Sequence, residues 1–321
     1  MKINAVFEGG GVKGIALAGA VSSALDKGFE FHDVAGTSSG SIVAAFLAAG
    51  YTGEEIKRLI IETPFHKFLK RSPIFDTGIV GSAARLIWKK GLYSGDALED
   101  WVRQKLEVKG IRKFGDLRKN QLRIVASDIS QGKLLVFPDD VAQYGIDPGR
   151  FSIARAVRMS SSIPYFFDPV KIRKPARQTR HDEPFRNQFV YIVDGAILSN
   201  FPLWLFDEPE QQPSRIPTLG FSLVGKIPKQ IHKINGVISM FQALFTTMMD
   251  AHDTRYIEEN NYFRTIKIPA LNVHSTQFNL TLEDSENLYE AGYRASDDYF
   301  RKWSMHLYES AYEKYVLRKP V

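Results

Sequence analysis

Gly36-Thr37-Ser38-Ser39-Gly40 has the spacing G-x-S-x-G, in which a sharp strand-to-helix turn strains the central serine and exposes its hydroxyl. Residues two before and two after that serine pass close together, so glycine at both places has a steric reason. Ser38 is thereby the candidate nucleophile; Ser39 and Ser41 are not. The same five residues also read as a Gly/Ser-rich turn capping the next helix. A second candidate is Gly9-Gly10-Gly11-Val12-Lys13-Gly14, where unpaired N–H groups at a helix start can hold an anion. Gly9, Gly11 and Gly14 satisfy the dinucleotide fingerprint G-x-G-x-x-G, with Asp33 about 20 residues on, as a ribose-binding acid stands. The same donors beside a nucleophile would instead form an oxyanion hole. A glycine turn with no ligand is the third reading. Asp194-Gly195-Ala196 follows an apolar run and offers a carboxylate just past a strand, where α/β enzymes gather catalytic groups. Aspartate before glycine is equally common turn chemistry.

The elements that must position these residues follow from the apolar pattern. Residues 3–7 form a short apolar strand, and 12–27 form a helix whose small residues Ala16, Ala18, Gly19 and Ala20 permit close approach to a sheet. The plan repeats at once: 32–35 lead into the serine turn, and 41–49 are apolar nearly all round, as in a helix buried between layers, with Gly50 as its stop. Strand, tight turn and helix twice over imply parallel neighbouring strands, which would bring both turns to one sheet edge. Further strands are expected at 122–129, 133–137, 189–193, 219–224 and 263–268, and helices near 54–62, 95–106 and 237–259. The C-terminal region is helical from about 282, with Thr281 as its cap. Residues 171–188 carry six basic residues, two prolines and little periodicity, and read as a mobile basic loop. These elements define an α/β fold, a three-layer α/β/α arrangement on a mostly parallel sheet, with residues 1–321 as one domain.

The 321 residues are 44% hydrophobic and 24% charged, which excludes wholesale disorder. The absence of cysteine excludes disulfides, thiolate catalysis and sulfur-ligated zinc, and no metal or organic cofactor is implied. The most apolar charge-free stretches, 42–51 and 237–249, are shorter than the roughly 20 residues a membrane span needs. Glu8, the glycines and Lys13 interrupt what would have to be a signal sequence, so the N-terminus reads as mature structure and the location as cytoplasmic. The net charge of +6 invites an anionic partner. Between Phe65 and Tyr93 six basic residues face Asp76 alone and alternate with Phe68, Phe75, Ile87 and Trp88, the composition of a peripheral contact with anionic lipid or of a solvated basic face. No recognition module for nucleic acid accompanies the charge.

The glycine turn with Lys13, the Gly36–Gly40 elbow and the late Asp194-Gly195-Ala196, in that order, resemble the patatin-like phospholipase family. Ser160-Ser161-Ser162-Ile163-Pro164, with Phe166, Phe167 and Pro169, resembles the segment preceding the aspartate there. Ala196 stands where many members have glycine, and 171–188 is longer than the usual connection. The resemblance implies a lipid acyl hydrolase of phospholipase A or lysophospholipase type. It implies Ser38 as nucleophile, Asp194 as its partner, and Gly9, Gly10 and Gly11 as oxyanion donors, with Lys13, Gly14, Gly36, Gly40 and Gly195 in support. Lys13 reads as bracing the turn or favouring an anionic head group. A phospholipid or lysophospholipid is the implied substrate. Two rivals stand beside this reading. His252 or His274 could complete a Ser–Asp–His triad, or the chain could be a non-catalytic lipid or dinucleotide binder.

Overall fold

The computed structural model describes residues 1–63, 65–69, 90–176, 179, 184–207, 216–225, 234–236, 239–240, 243–244, 247, 261–271 and 273–317. The chain opens with the expected double unit. Strand β1 (Lys2–Phe7) passes through a 3-10 turn at Gly11–Lys13 into α1 (Gly14–Asp26), and β2 (Glu30–Thr37) turns at Ser38 into α2 (Ser39–Ala48). A capping box between Thr52 and Glu55 opens α3 (Gly53–Ile61). There follow β3 (Gly91–Tyr93), α4 (Asp96–Val108), β4 (Leu122–Asp128), β5 (Lys133–Phe137), α5 (Ile153–Ser160), β6 (Tyr165–Phe167), β7 (Val170–Arg173) and β8 (Phe189–Asp194). The chain closes with β9 (Thr218–Val224), β10 (Thr265–Pro269), α6 (Leu282–Lys302) and α7 (Met305–Tyr312).

The main sheet runs β10-β9-β1-β2-β4-β8-β7, with β5 also on β4, while β3 and β6 form a separate parallel pair. The strands from β10 to β4 are parallel, and β5, β7 and β8 are antiparallel to their neighbours, so this is a mixed sheet with flanking helices, an α/β fold. One face buries Ile3, Ala5, Phe7, Ile124 and Phe221 beneath the helices. On the other, Val6 and Ala35 pack under Phe201 and Leu203.

The register around β4 decides where the site forms. Ile124 and Val125 pair with β2 on one edge while also pairing with β5, and Ala126 to Asp128 pair with β8 while pairing with β5. A strand has two edges, and β5 occupies one of them throughout. Strands β2 and β8 therefore share the other edge, meeting end to end, with Thr37 opposite Val125 and Asp194 opposite Ala126.

Three sequence expectations change. The basic stretch from 171 begins as strand, not loop: β7 pairs antiparallel with β8, burying Val170 and Ile172 and exposing Lys171 and Arg173. Its charges are those of an edge strand, which discourages further pairing. Helix α5 was not anticipated, because eight residues give too little periodicity to read. The small residues of α1 serve a helix contact: a side chain at Gly19 would strike the Tyr289 carbonyl, and one at Gly292 the Ala16 carbonyl. The Thr281 cap of α6 holds as expected, its hydroxyl accepting from Asp284 N. The basic segment 70–89, residues 177–178 and 180–183, and most of 237–259 lie outside the described residues. Gly292→Leu should force α6 away from α1 and cost about 1–3 kcal/mol in urea unfolding. An unchanged midpoint would show that the two helices do not depend on this approach.

Candidate active site

Parallel pairing of β1 with β2 places the glycine turn and the serine turn side by side, as Phe7 stands opposite Gly36. Ser38 has φ 52° and ψ −126°, a region that costs a residue with a side chain about 1–3 kcal/mol. The tightness requires glycine at both flanks: a Cβ at Gly36 would overlap the backbone of Gly40, and one at Gly40 the carbonyl of Phe7. Three bonds hold the strained residue. Ser38 N–H donates to Ser160 Oγ at 2.9 Å, and the Ser38 carbonyl accepts from Ser41 N at 2.9 Å and Ser41 Oγ at 2.6 Å.

The end-to-end meeting of β2 and β8 gives Ser38 its partner. Ser38 Oγ donates to Asp194 Oδ2 at 2.7 Å, across 156 positions of sequence. Asp194 Oδ1 accepts from Ala196 N at 2.9 Å, and Asp194 N donates to the Ser162 carbonyl at 2.9 Å. Asp194 is 1% exposed. Burial pushes it up to about 7, against the opposing pull of the Ala196 amide and the Ser38 hydroxyl. The cause is loss of water around the charged form, so the group is a far better base than an exposed aspartate.

Serine 160 ties this pair to β4, its hydroxyl donating to the Val125 carbonyl at 2.6 Å. Buried Arg158 braces the segment behind it, reaching the Ser94 carbonyl, the Ser162 hydroxyl and, at 2.8 Å, the Asp168 carbonyl. Burial lowers that guanidinium to about 10.

In the first turn, Gly9 N–H donates to the Asn200 carbonyl at 3.3 Å and Gly10 N–H to Ser39 Oγ at 3.1 Å. Gly11 N–H has no acceptor among the described residues. The turn is fastened by buried Glu8, which accepts from Asn200 Nδ2 at 3.1 Å and Leu223 N at 2.6 Å. Lys13 is half-buried in the 3-10 turn and makes no ion pair among the described residues. Gly14 lies under Ser39, and Gly195 is packed against Val125 and Thr37. Ser160 lies in the serine run that the resemblance names, but its clamping role was not read from sequence, and neither were those of Ser39, Asn200 and Glu8. Glu8 also carried a signal, an acid placed between an apolar strand and a glycine turn.

Beside Ser38 opens a cleft lined mostly by apolar side chains. Ile15, Ile42, Val43, Leu98, Trp101 and Phe167 wall it, and Gly11, Ser38 and Ser161 also line it. Asp33, the candidate ribose acid, sits in the first half of β2, bonded to Arg118, roughly 13 Å along the strand from Thr37. The described residues bonded to Ser38 Oγ and Asp194 include no histidine; His274 is exposed, and His252 lies outside the described residues. No group of acidic or histidine side chains fit to hold a metal occurs among the described residues.

A family model described as Patatin-like phospholipase matches residues 5–207, a stretch containing both turns, the serine run and Asp194. The chain belongs to the patatin-like phospholipase family. Among individual proteins it is 43% identical over 305 residues to "Uncharacterized protein YqhO" of Bacillus subtilis (strain 168), covering 95% of this chain and all of that one. It is 24% identical over 206 residues to "Probable lipid hydrolase 463L" of Invertebrate iridescent virus 6, covering 62% of this chain and 61% of that protein. The fold is similar to that of VipD from Legionella pneumophila, with a TM-score of 0.54 at 16% identity over 93% of this chain. This chain spans 66% of the VipD chain.

Above pH 7 wild type carries a buried charge at Asp194 that the unfolded chain would hold in water, so stability falls as pH rises from about 4 through 7. Asp194→Asn keeps an acceptor for the Ala196 amide and turns a donor toward Ser38 Oγ, with no charge to bury. Urea unfolding should show this variant more stable than wild type by on the order of 2 kcal/mol at pH 8, with the gap closing toward pH 5. A constant gap at both pH values would contradict the burial argument.

Proposed function

We propose that the protein is a serine lipid acyl hydrolase, of phospholipase A or lysophospholipase type, acting through a Ser38–Asp194 dyad. One observation carries the reading: the 2.7 Å bond from a strained serine hydroxyl to a buried carboxyl whose affinity for protons is raised. Family membership and the name of the viral relative support lipid as the substrate class.

Ionised Asp194 takes the proton from Ser38 Oγ as that oxygen attacks an ester carbonyl carbon. The carbonyl oxygen becomes an oxyanion, met by Gly11 N–H and, on release from Ser39 Oγ, by Gly10 N–H. Gly9 N–H, held by Asn200, shapes the turn. The intermediate collapses, the C–O bond to the alcohol breaks, and Asp194 returns its proton to the departing oxygen. Water then attacks the acyl-enzyme by the same route, giving the fatty acid and free Ser38. The apolar cleft receives the acyl chain. The basic, aromatic stretch 65–93 provides contact with an anionic lipid surface in this reading.

A Ser–Asp–His triad is the rival, and no described histidine supports it. A dinucleotide site fits poorly, with Asp33 engaged elsewhere on β2.

Wild type should hydrolyse phospholipid or lysophospholipid esters and take a fluorophosphonate label that Ser38→Ala loses. Asp194→Asn should lower turnover by at least about 10³-fold while remaining folded. In wild type kcat/KM should rise with pH through about 7 as Asp194 ionises, with the small ionisation enthalpy of a carboxyl; an imidazole-like enthalpy would favour the triad. Undiminished turnover in folded Asp194→Asn removes the dyad. Ile42→Trp, at the half-buried cleft wall, should cut kcat/KM on long-chain esters about tenfold or more and spare acetyl esters. Equal losses on both would move the acyl chain out of this cleft.

A further inference from the structure

The three serines that close α5 face different tasks. Ser160 Oγ holds the Ser38 amide, and the Ser162 carbonyl holds the Asp194 amide. Ser161 lies between them, 6% exposed, and its Oγ has no hydrogen-bond partner among the described residues. A buried hydroxyl left unmet is a standing cost that native structures seldom carry without a use. Ser22, Ser23, Ser222 and Ser296 are unmet in the same way, but of these five only Ser161 lines the cleft beside Ser38. The other serine hydroxyls lining it are committed, Ser38 to Asp194 and Ser39 to the Gly10 amide.

Position in the sheet indicates what Ser161 would meet. The glycine turn follows β1, on one side of β2. Ser160 and Ser162 bond to β4, Ser38 and β8, on the other side. An ester carbon attacked by Ser38 carries three further groups. Its oxyanion turns to the glycine amides and its acyl chain enters the apolar cleft, which leaves the alkoxy oxygen toward Asp194 and Ser161.

We infer that the Ser161 hydroxyl donates a hydrogen bond to the leaving-group oxygen of the scissile ester, an inference resting on the Ser38–Asp194 reading. Ser161 supplies no net proton: the proton taken from Ser38 passes through Asp194 to the departing alkoxide, yielding the alcohol. The hydroxyl stabilises negative charge as the C–O bond breaks, so its worth depends on how basic the leaving oxygen is.

Two esters of one fatty acid test this, a glyceryl ester and a p-nitrophenyl ester whose phenolate departs with little help. Ser161→Ala should lose about tenfold in kcat/KM on the glyceryl ester and less than about twofold on the p-nitrophenyl ester. Both substrates are read on one preparation, so their ratio does not depend on the fraction of protein folded. Ser161→Thr, which keeps a hydroxyl, should hold the wild-type ratio. Equal losses on both esters, or no loss on either, overturn the inference. A wild type that hydrolyses neither ester overturns the dyad reading as well; an active wild type whose ratio Ser161→Ala leaves unmoved overturns this inference alone.

Discussion

The site depends on one constraint, that a carboxyl must sit out of water and still touch a hydroxyl. An ordinary aspartate is a weak base at neutral pH, and burial alone raises its proton affinity here, the hydrogen bonds from Ser38 and Ala196 pulling the other way. The fold meets the constraint by ending two strands against each other along β4. Asp194 thus lies inside the sheet layer rather than on a loop above it. The strain at Ser38 and the proton affinity at Asp194 have one origin, the abrupt end of a strand in a packed interior.

The clamps around the pair are nearly all hydrogen bonds from backbone or small hydroxyls. Ser160 to Val125 and Asn200 to Gly9 each tie a reacting segment to a neighbouring one, and Ser41 to Ser38 closes the serine turn on itself. Such bonds fix position without adding charge, which keeps the surroundings of Asp194 apolar enough to hold its raised affinity. A lysine or arginine in direct contact would pull the carboxyl back down. Arg158 stands one residue removed, bonded to the Ser162 hydroxyl and to carbonyls.

What could be read from sequence was local. The elbow announced itself because glycine at 36 and 40 is dictated by sterics within five residues, and the glycine turn because an apolar strand ran straight into it. The double strand-turn-helix unit gave the parallel pairing of β1 and β2. The meeting of Ser38 with Asp194 could not be derived from pattern, because it depends on β8 running antiparallel and sharing an edge of β4 with β2. Resemblance supplied that pairing in advance; periodicity did not. The strand in 170–173 was hidden by its charges, and the serine, Glu8 and Asn200 clamps by their distance in sequence from what they hold.

The order of synthesis gains a meaning from the sheet order. Strand β1 emerges first yet lies between β2 and β9, so one of its edges waits for a partner from beyond residue 217. Val12 N–H likewise bonds the Ser275 carbonyl, and α1 packs on the last long helix. A nascent chain can therefore pair β2 with β4 before Leu223 and Ser275, which brace the glycine turn, have been made.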